Sequence, residues 1–163
     1  MLICYYYILY IIMTKILSNF RYILTNKKFY IPIIFALLLI AIGYFSKITV
    51  QSKMKRELFS IGGIRIDWWS ISHLILYVYF GYFFPEYFIE FLIIGSLWEL
   101  FESTFCKESF VGLIGCRNSE NYLCKSINKF RGCDYWYGKI DDVVINMIGF
   151  VIGALLAKKY RKI

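Results

Sequence analysis

Four long apolar stretches decide what this chain is able to become. Residues 30–45, 68–84, 87–105 and 143–157 are apolar almost without interruption, close to the roughly 17 to 25 residues that a helix needs to cross a bilayer. With 60% of its 163 residues hydrophobic and 21% aromatic, the chain carries more apolar side chain than a soluble domain of this length buries. The excess is expected to face lipid. The pattern predicts an all-α fold, a polytopic membrane helical bundle with about four transmembrane helices. A further apolar run, residues 2–13, is shorter, has no basic segment before it and no small-residue cleavage site after it. It reads as an amino-terminal interfacial or half-inserted helix.

No internal repeat or proline-rich linker divides the chain, so one bundle is expected. Its parts are an apolar amino-terminal segment (1–28), a first transmembrane helix with a basic connector (29–66), a three-helix core (67–157) and a basic tail (158–163). Gly62-Gly63 reads as a turn within the connector. Pro85-Glu86 forces a tight reversal, making the second and third spans antiparallel neighbours.

The net charge of +8 does not form one basic face, as nucleic acid would require; Lys and Arg lie between and beyond the apolar spans, where lipid headgroups are the natural counterions. They fall on both sides of the spans, so the positive-inside rule leaves orientation open. Four of the five cysteines, Cys106, Cys116, Cys124 and Cys133, sit in or at the edges of a single polar loop, 106–133. Two disulfides in an oxidising lumen and four free thiols are both compatible with this. No CxxC pair marks a zinc site.

Tracing the helices in order brings polar groups to one membrane face. If the second span begins at that face, the third returns to it and the fourth starts from it. His73 lies about five residues into the second span, Glu99 and Glu102 in the last turns of the third, and Asp141, Asp142 and Asn146 open the fourth. At 1.5 Å per residue, all fall within roughly 10 Å of that face. Asp142, Asn146, Gly149 and Gly153 form one stripe along their helix, and its small-xxx-small end is expected to admit another helix, bringing the acids of the third span beside Asn146.

Individually these groups have structural explanations, such as helix-start acids that suit the macrodipole. Collectively, ionisable groups at membrane depth pair, bind ions or do chemistry. Carboxylates and an amide suit a hard cation, Ca²⁺, with Mg²⁺ or Mn²⁺ as alternatives. A histidine of near-neutral pKa beside such a cation could deprotonate an alcohol that attacks phosphorus.

Three segments carry a resemblance: Asp67-Trp-Trp-Ser-Ile-Ser-His73, Trp98-Glu99-Leu100-Phe101-Glu102, and Cys133 followed by Asp141, Asn146, Gly149 and Gly153. Residues 67–153 thereby resemble the core of the eukaryotic base-exchange phosphatidylserine synthases, membrane enzymes that swap a phospholipid headgroup for serine. That resemblance implies His73 as general base on the serine hydroxyl and Glu99, Glu102, Asp141 and Asn146 as calcium ligands. It also implies a phospholipid and serine or another amino alcohol as substrates, and an endoplasmic reticulum location. The chain is shorter than those enzymes, and Trp136 stands where they carry an acid, with Asp134 or Asp142 as substitutes.

Asp142-Asn146-Gly149-Gly153 also resembles the D-x3-N-x2-G-x3-G segment of the VanZ-like membrane proteins, which implies lipid or amphiphile binding without turnover. A third reading is a structural viral membrane protein in a host internal membrane: abundant Ile, Phe, Tyr and Lys with four Ala is what an AT-rich genome encodes. A transporter of this size would be expected to form a homo-oligomer.

Overall fold

The computed structural model describes residues 2–45, 53–105 and 139–161. The chain is mostly helical, with α1 at Leu2–Thr25, α2 at Lys27–Phe45, α3 at Trp68–Phe83, α4 at Phe88–Phe105 and α5 at Ile140–Arg161. Each apolar window of the sequence has its helix. The cysteine loop, Asp134 and Trp136 lie outside the described residues.

Local chemistry accounts for the boundaries. Asp67 caps α3, its carboxylate accepting the Ser70 N–H at 2.9 Å. Asn26 separates α1 from α2 and accepts the Lys28 N–H at 3.0 Å. In α5, Asp141 and Asp142 occupy the first turn and Lys158, Lys159 and Arg161 the last, the polarity that the helix dipole favours.

Two elements differ from expectation. The amino-terminal helix runs 24 residues, well past the apolar run 2–13, because its polar residues satisfy themselves along the helix. The hydroxyls of Thr14 and Ser18, for example, donate to Tyr10 O at 2.7 Å and Lys15 O at 2.9 Å. The connector holds a β-hairpin, β1 (Glu57–Ile61) against β2 (Ile64–Asp67). Gly62 and Gly63 turn it with φ of +58° and +86°, a pair of left-handed conformations that only glycine adopts readily.

Among the described residues, two helices are long and apolar enough to cross a membrane, Tyr6–Thr25 and Ile140–Arg161. The first belongs to the segment expected at the interface. At 16 residues, α3 is about 24 Å long, short of a roughly 30 Å hydrocarbon core. Apolar side chains such as Ile75, Leu97 and Leu155 nevertheless point outward from α3, α4 and α5.

The core is aromatic. Phe91 is fully buried, with ring centroids 4.7 Å from Phe80, 5.5 Å from Phe84 and 5.4 Å from Phe150. From α2, Phe29 packs on Phe80. By contrast, α1 docks on the described helices through its last turns, where Tyr22 stacks on Tyr87 and Ile23 is buried.

The most extensive helix contact joins α3 to α5. A Cβ on Gly149 would stand 2.7 Å from Leu74 O, one on Gly153 would overlap Val78 O, and one on Gly81 would overlap Phe150 O. The helix that the small-residue stripe admits is the second span, α3, because Gly81 supplies the matching absence of side chain on α3, while the third span comes beside Asn146 through its own Gly95. The two helices run parallel, Ser70 beside Asp142 at one end and Tyr82 beside Arg161 at the other.

Candidate functional site

Three helix segments converge at the end of the bundle where α3 and α5 begin and α4 ends. Ser70 and His73 are one turn apart on α3, Asp142 and Asn146 one turn apart on α5, and each pair shares a face. On α4, Glu99 follows Gly95 by one turn; a Cβ on Gly95 would sit 3.4 Å from Asn146 Nδ2, so the missing side chain lets α4 approach.

The result is a compact group. His73 Nδ1 lies 3.5 Å from Glu99 Oε1, and single ligand atoms of His73, Glu99 and Asp142 all lie within 4.8 Å of one another. Glu99, Asp142 and Asn146 are 6%, 3% and 3% exposed. Their surroundings hold them. The Lys139 N–H donates to Glu99 Oε2 at 2.9 Å. The Ser70 hydroxyl is 2.7 Å from Asp142 Oδ1 and 3.1 Å from Asp67 Oδ1, so its single proton is better directed at Asp142. The Lys139 ammonium forms an ion pair with Asp67. Burial pushes the Asp67 carboxyl up, but that ion pair and the hydrogen bond from the Ser70 N–H outweigh it and hold the pKa below the usual range.

What remains is unsatisfied. His73 Nδ1, Glu99 Oε1 and Asn146 Oδ1 are buried without hydrogen-bond partners among the described residues. Each such atom costs about 1–3 kcal/mol, and two neighbouring carboxylates add repulsion. A divalent cation would relieve both. Because the His73, Glu99 and Asp142 atoms are no more than 4.8 Å apart, a point within about 2.8 Å of all three exists, near the 2.3–2.6 Å of calcium–oxygen bonds. Glu99 and Asp142 offer carboxylate oxygens to such a point and His73 a ring nitrogen, and the buried Asn146 Oδ1, one turn from Asp142 on α5, is a further oxygen on the same face.

Of the residues singled out from the sequence, His73, Glu99, Asn146 and the auxiliary Asp142 meet here. Asp141 does not join them. It points to the hairpin, where it accepts the Arg65 N–H at 3.4 Å, because one residue along a helix is a turn of about 100°. Glu102, a turn beyond Glu99 and half-buried, is hydrogen-bonded by Trp98 and lies outside the His73 group. Asp67 is a cap and the anchor of Lys139. Sequence reasoning missed Ser70, whose signal was its place three residues after the capping Asp67. It also missed Lys139, whose contribution to Glu99 comes from the backbone and leaves no trace in residue type. Another unforeseen polar pair lies on α1 and the first turn of α4, where buried Glu90 accepts Asn19 Nδ2 at 2.7 Å.

Comparison with family models, curated proteins and solved structures finds no match for this chain.

Proposed function

We propose that the chain is a membrane enzyme of divalent-cation-dependent phospholipid headgroup exchange, with α2 to α5 crossing the bilayer and the His73 cluster at one face. The observation that carries this reading is the convergence of buried His73, Glu99 and Asn146 atoms, without hydrogen-bond partners among the described residues, with the Asp142 carboxylate. Ionisable groups placed so deep among lipid-facing helices call for a ligand. The outward apolar side chains of α3, α4 and α5 support the bilayer placement.

Glu99, Asp142 and Asn146 would hold the cation, which when bound neutralises the phosphate and the charge that develops on it. His73 removes the proton from the hydroxyl of serine or another amino alcohol. The Glu99 carboxylate at 3.5 Å favours the imidazolium so formed. The hydroxyl oxygen bonds to phosphorus, the bond from phosphorus to the departing headgroup alcohol breaks, and His73 returns the proton to that alcohol. An internal membrane such as the endoplasmic reticulum, where phospholipids are made, suits this chemistry.

The test is reconstitution of the purified chain with phosphatidylcholine or phosphatidylethanolamine, labelled serine and Ca²⁺, Mg²⁺ or Mn²⁺. Labelled lipid should form and should vanish in His73→Ala. Folded protein that exchanges neither serine, ethanolamine nor choline with any of these ions refutes the reading.

One observation favours a second reading, VanZ-like binding of a lipid or amphiphile without turnover. The α5 acid in the cluster is Asp142, which stands four residues before Asn146, as in that segment, whereas Asp141 of the synthase-like register points away. Co-purifying lipid that is lost in a Glu99→Ala, Asp142→Ala double variant, with no product, would select this reading.

A further inference from the structure

The hairpin lies beside the cluster by construction. Asp67 is at once the last residue of β2 and the cap of α3, and the Arg65 N–H reaches Asp141 at the start of α5. Pairing sets its two faces apart. Phe59 opposes Ile66 and Ile61 opposes Ile64, while Ser60 opposes Arg65; partners share a face, so beyond the irregularity at Leu58 one face carries Phe59, Ile61, Ile64 and Ile66 and the other Ser60 and Arg65. The apolar face is not covered by the bundle, since Phe59 and Ile61 are 49% and 67% exposed, and Trp68 at the foot of the hairpin is also exposed. Lys53 and Arg56, just before β1, are exposed as well, and residues 53–66 hold Lys53, Lys55, Arg56 and Arg65 against the single acid Glu57.

An amphipathic, basic hairpin with an apolar face of Phe59, Ile61, Ile64 and Ile66, fixed to the start of a helix, fits one surface: the headgroup layer of an anionic leaflet. We propose that the hairpin inserts Phe59 and Ile61 below the headgroups while Lys53 and Arg56 bind anionic lipid, holding the membrane surface against the face that carries the His73 cluster. The proposal rests on the bilayer placement given above and not on the exchange chemistry.

Its test is amide hydrogen exchange of the full chain in nanodiscs of pure phosphatidylcholine and of phosphatidylcholine with one third phosphatidylglycerol, following residues 57–67 and α5 together. Hairpin amides should exchange at least about tenfold more slowly in the anionic discs. Lys53→Glu with Arg56→Glu should abolish that difference and leave α5 protected. Equal hairpin exchange in the two lipids, with α5 protected, overturns the proposal alone. Unprotected α5 in both overturns the bilayer placement and the hairpin proposal with it.

Discussion

Adding one methyl group at Gly153 or Gly149 separates a packing role for the glycine stripe from a merely permissive one. In an exposed helix, Gly→Ala stabilises by about 1 kcal/mol. Here the methyl of Gly149→Ala would stand 2.7 Å from Leu74 O, 0.7 Å inside a 3.4 Å contact, and that of Gly153→Ala would overlap Val78 O. Both obstacles are backbone, which cannot rotate aside. Overpacking of this kind costs about 1–3 kcal/mol, so the net loss is about 1 kcal/mol for Gly149→Ala and about 2 kcal/mol for Gly153→Ala. At roughly 3 °C per kcal/mol for a chain of this size, the expected falls in Tm are about 3 °C and about 6 °C, read by circular dichroism in detergent. Headgroup exchange should fall further than stability does. Parting α3 from α5 stretches the 2.7 Å contact from Ser70 to Asp142, and a shift of this size in a positioned group is costly to catalysis. Unchanged or raised Tm in both variants would refute the close contact of α3 with α5.

The cation site makes a selective prediction: Ca²⁺ should raise the Tm of the wild type, Glu102→Gln and Asp141→Asn, and leave that of Glu99→Gln and Asp142→Asn unmoved, as followed by differential scanning fluorimetry. For Asp67 the sign follows from its depressed pKa. Its contribution is present above the unfolded value of 3.8 and is lost as pH falls through the lower folded value, so Asp67→Asn should flatten the acid limb of stability below about pH 4 in a Tm series against pH. Asn19→Leu leaves the buried Glu90 carboxylate without its 2.7 Å donor and should loosen α1 by about 1–3 kcal/mol, measured as faster proteolysis or hydrogen exchange in α1 alone. Equal protection of α1 in Asn19→Leu and wild type would show that Tyr22 and Ile23 suffice to dock it.

The helices were legible because hydropathy and the Pro85-Glu86 reversal are written in residue type. Depth along each helix was legible too, which is why His73, Glu99 and Asn146 were found together. Rotation about the helix axis was harder. The stripe of Asp142, Asn146, Gly149 and Gly153 already set the phase of α5 and pointed to Asp142; the resemblance drew the choice to Asp141, about 100° away. Which helix would receive the glycines was not readable from α5, since a groove of small residues accepts any partner, and the cue lay in Gly81 on the other side. The hairpin escaped notice because strands of five and four residues barely establish an alternation. The full extent of α1 escaped because hydropathy counts Thr14 and Ser18 as polar whether or not their hydroxyls are already engaged.

The parallel run of α3 beside α5 also fixes when the site comes into existence. Neighbouring antiparallel helices can close as soon as both are made, but Ser70 must wait for a partner 72 residues away. As the chain is synthesised from its amino terminus, α3 and α4 emerge first, and His73 can meet Glu99 before Asp142 and Asn146 exist. The cluster is thus incomplete until α5 arrives, and because that helix is gripped by glycine-to-backbone contact, α5 supplied as a separate fragment should complete the cluster on a chain that ends before it.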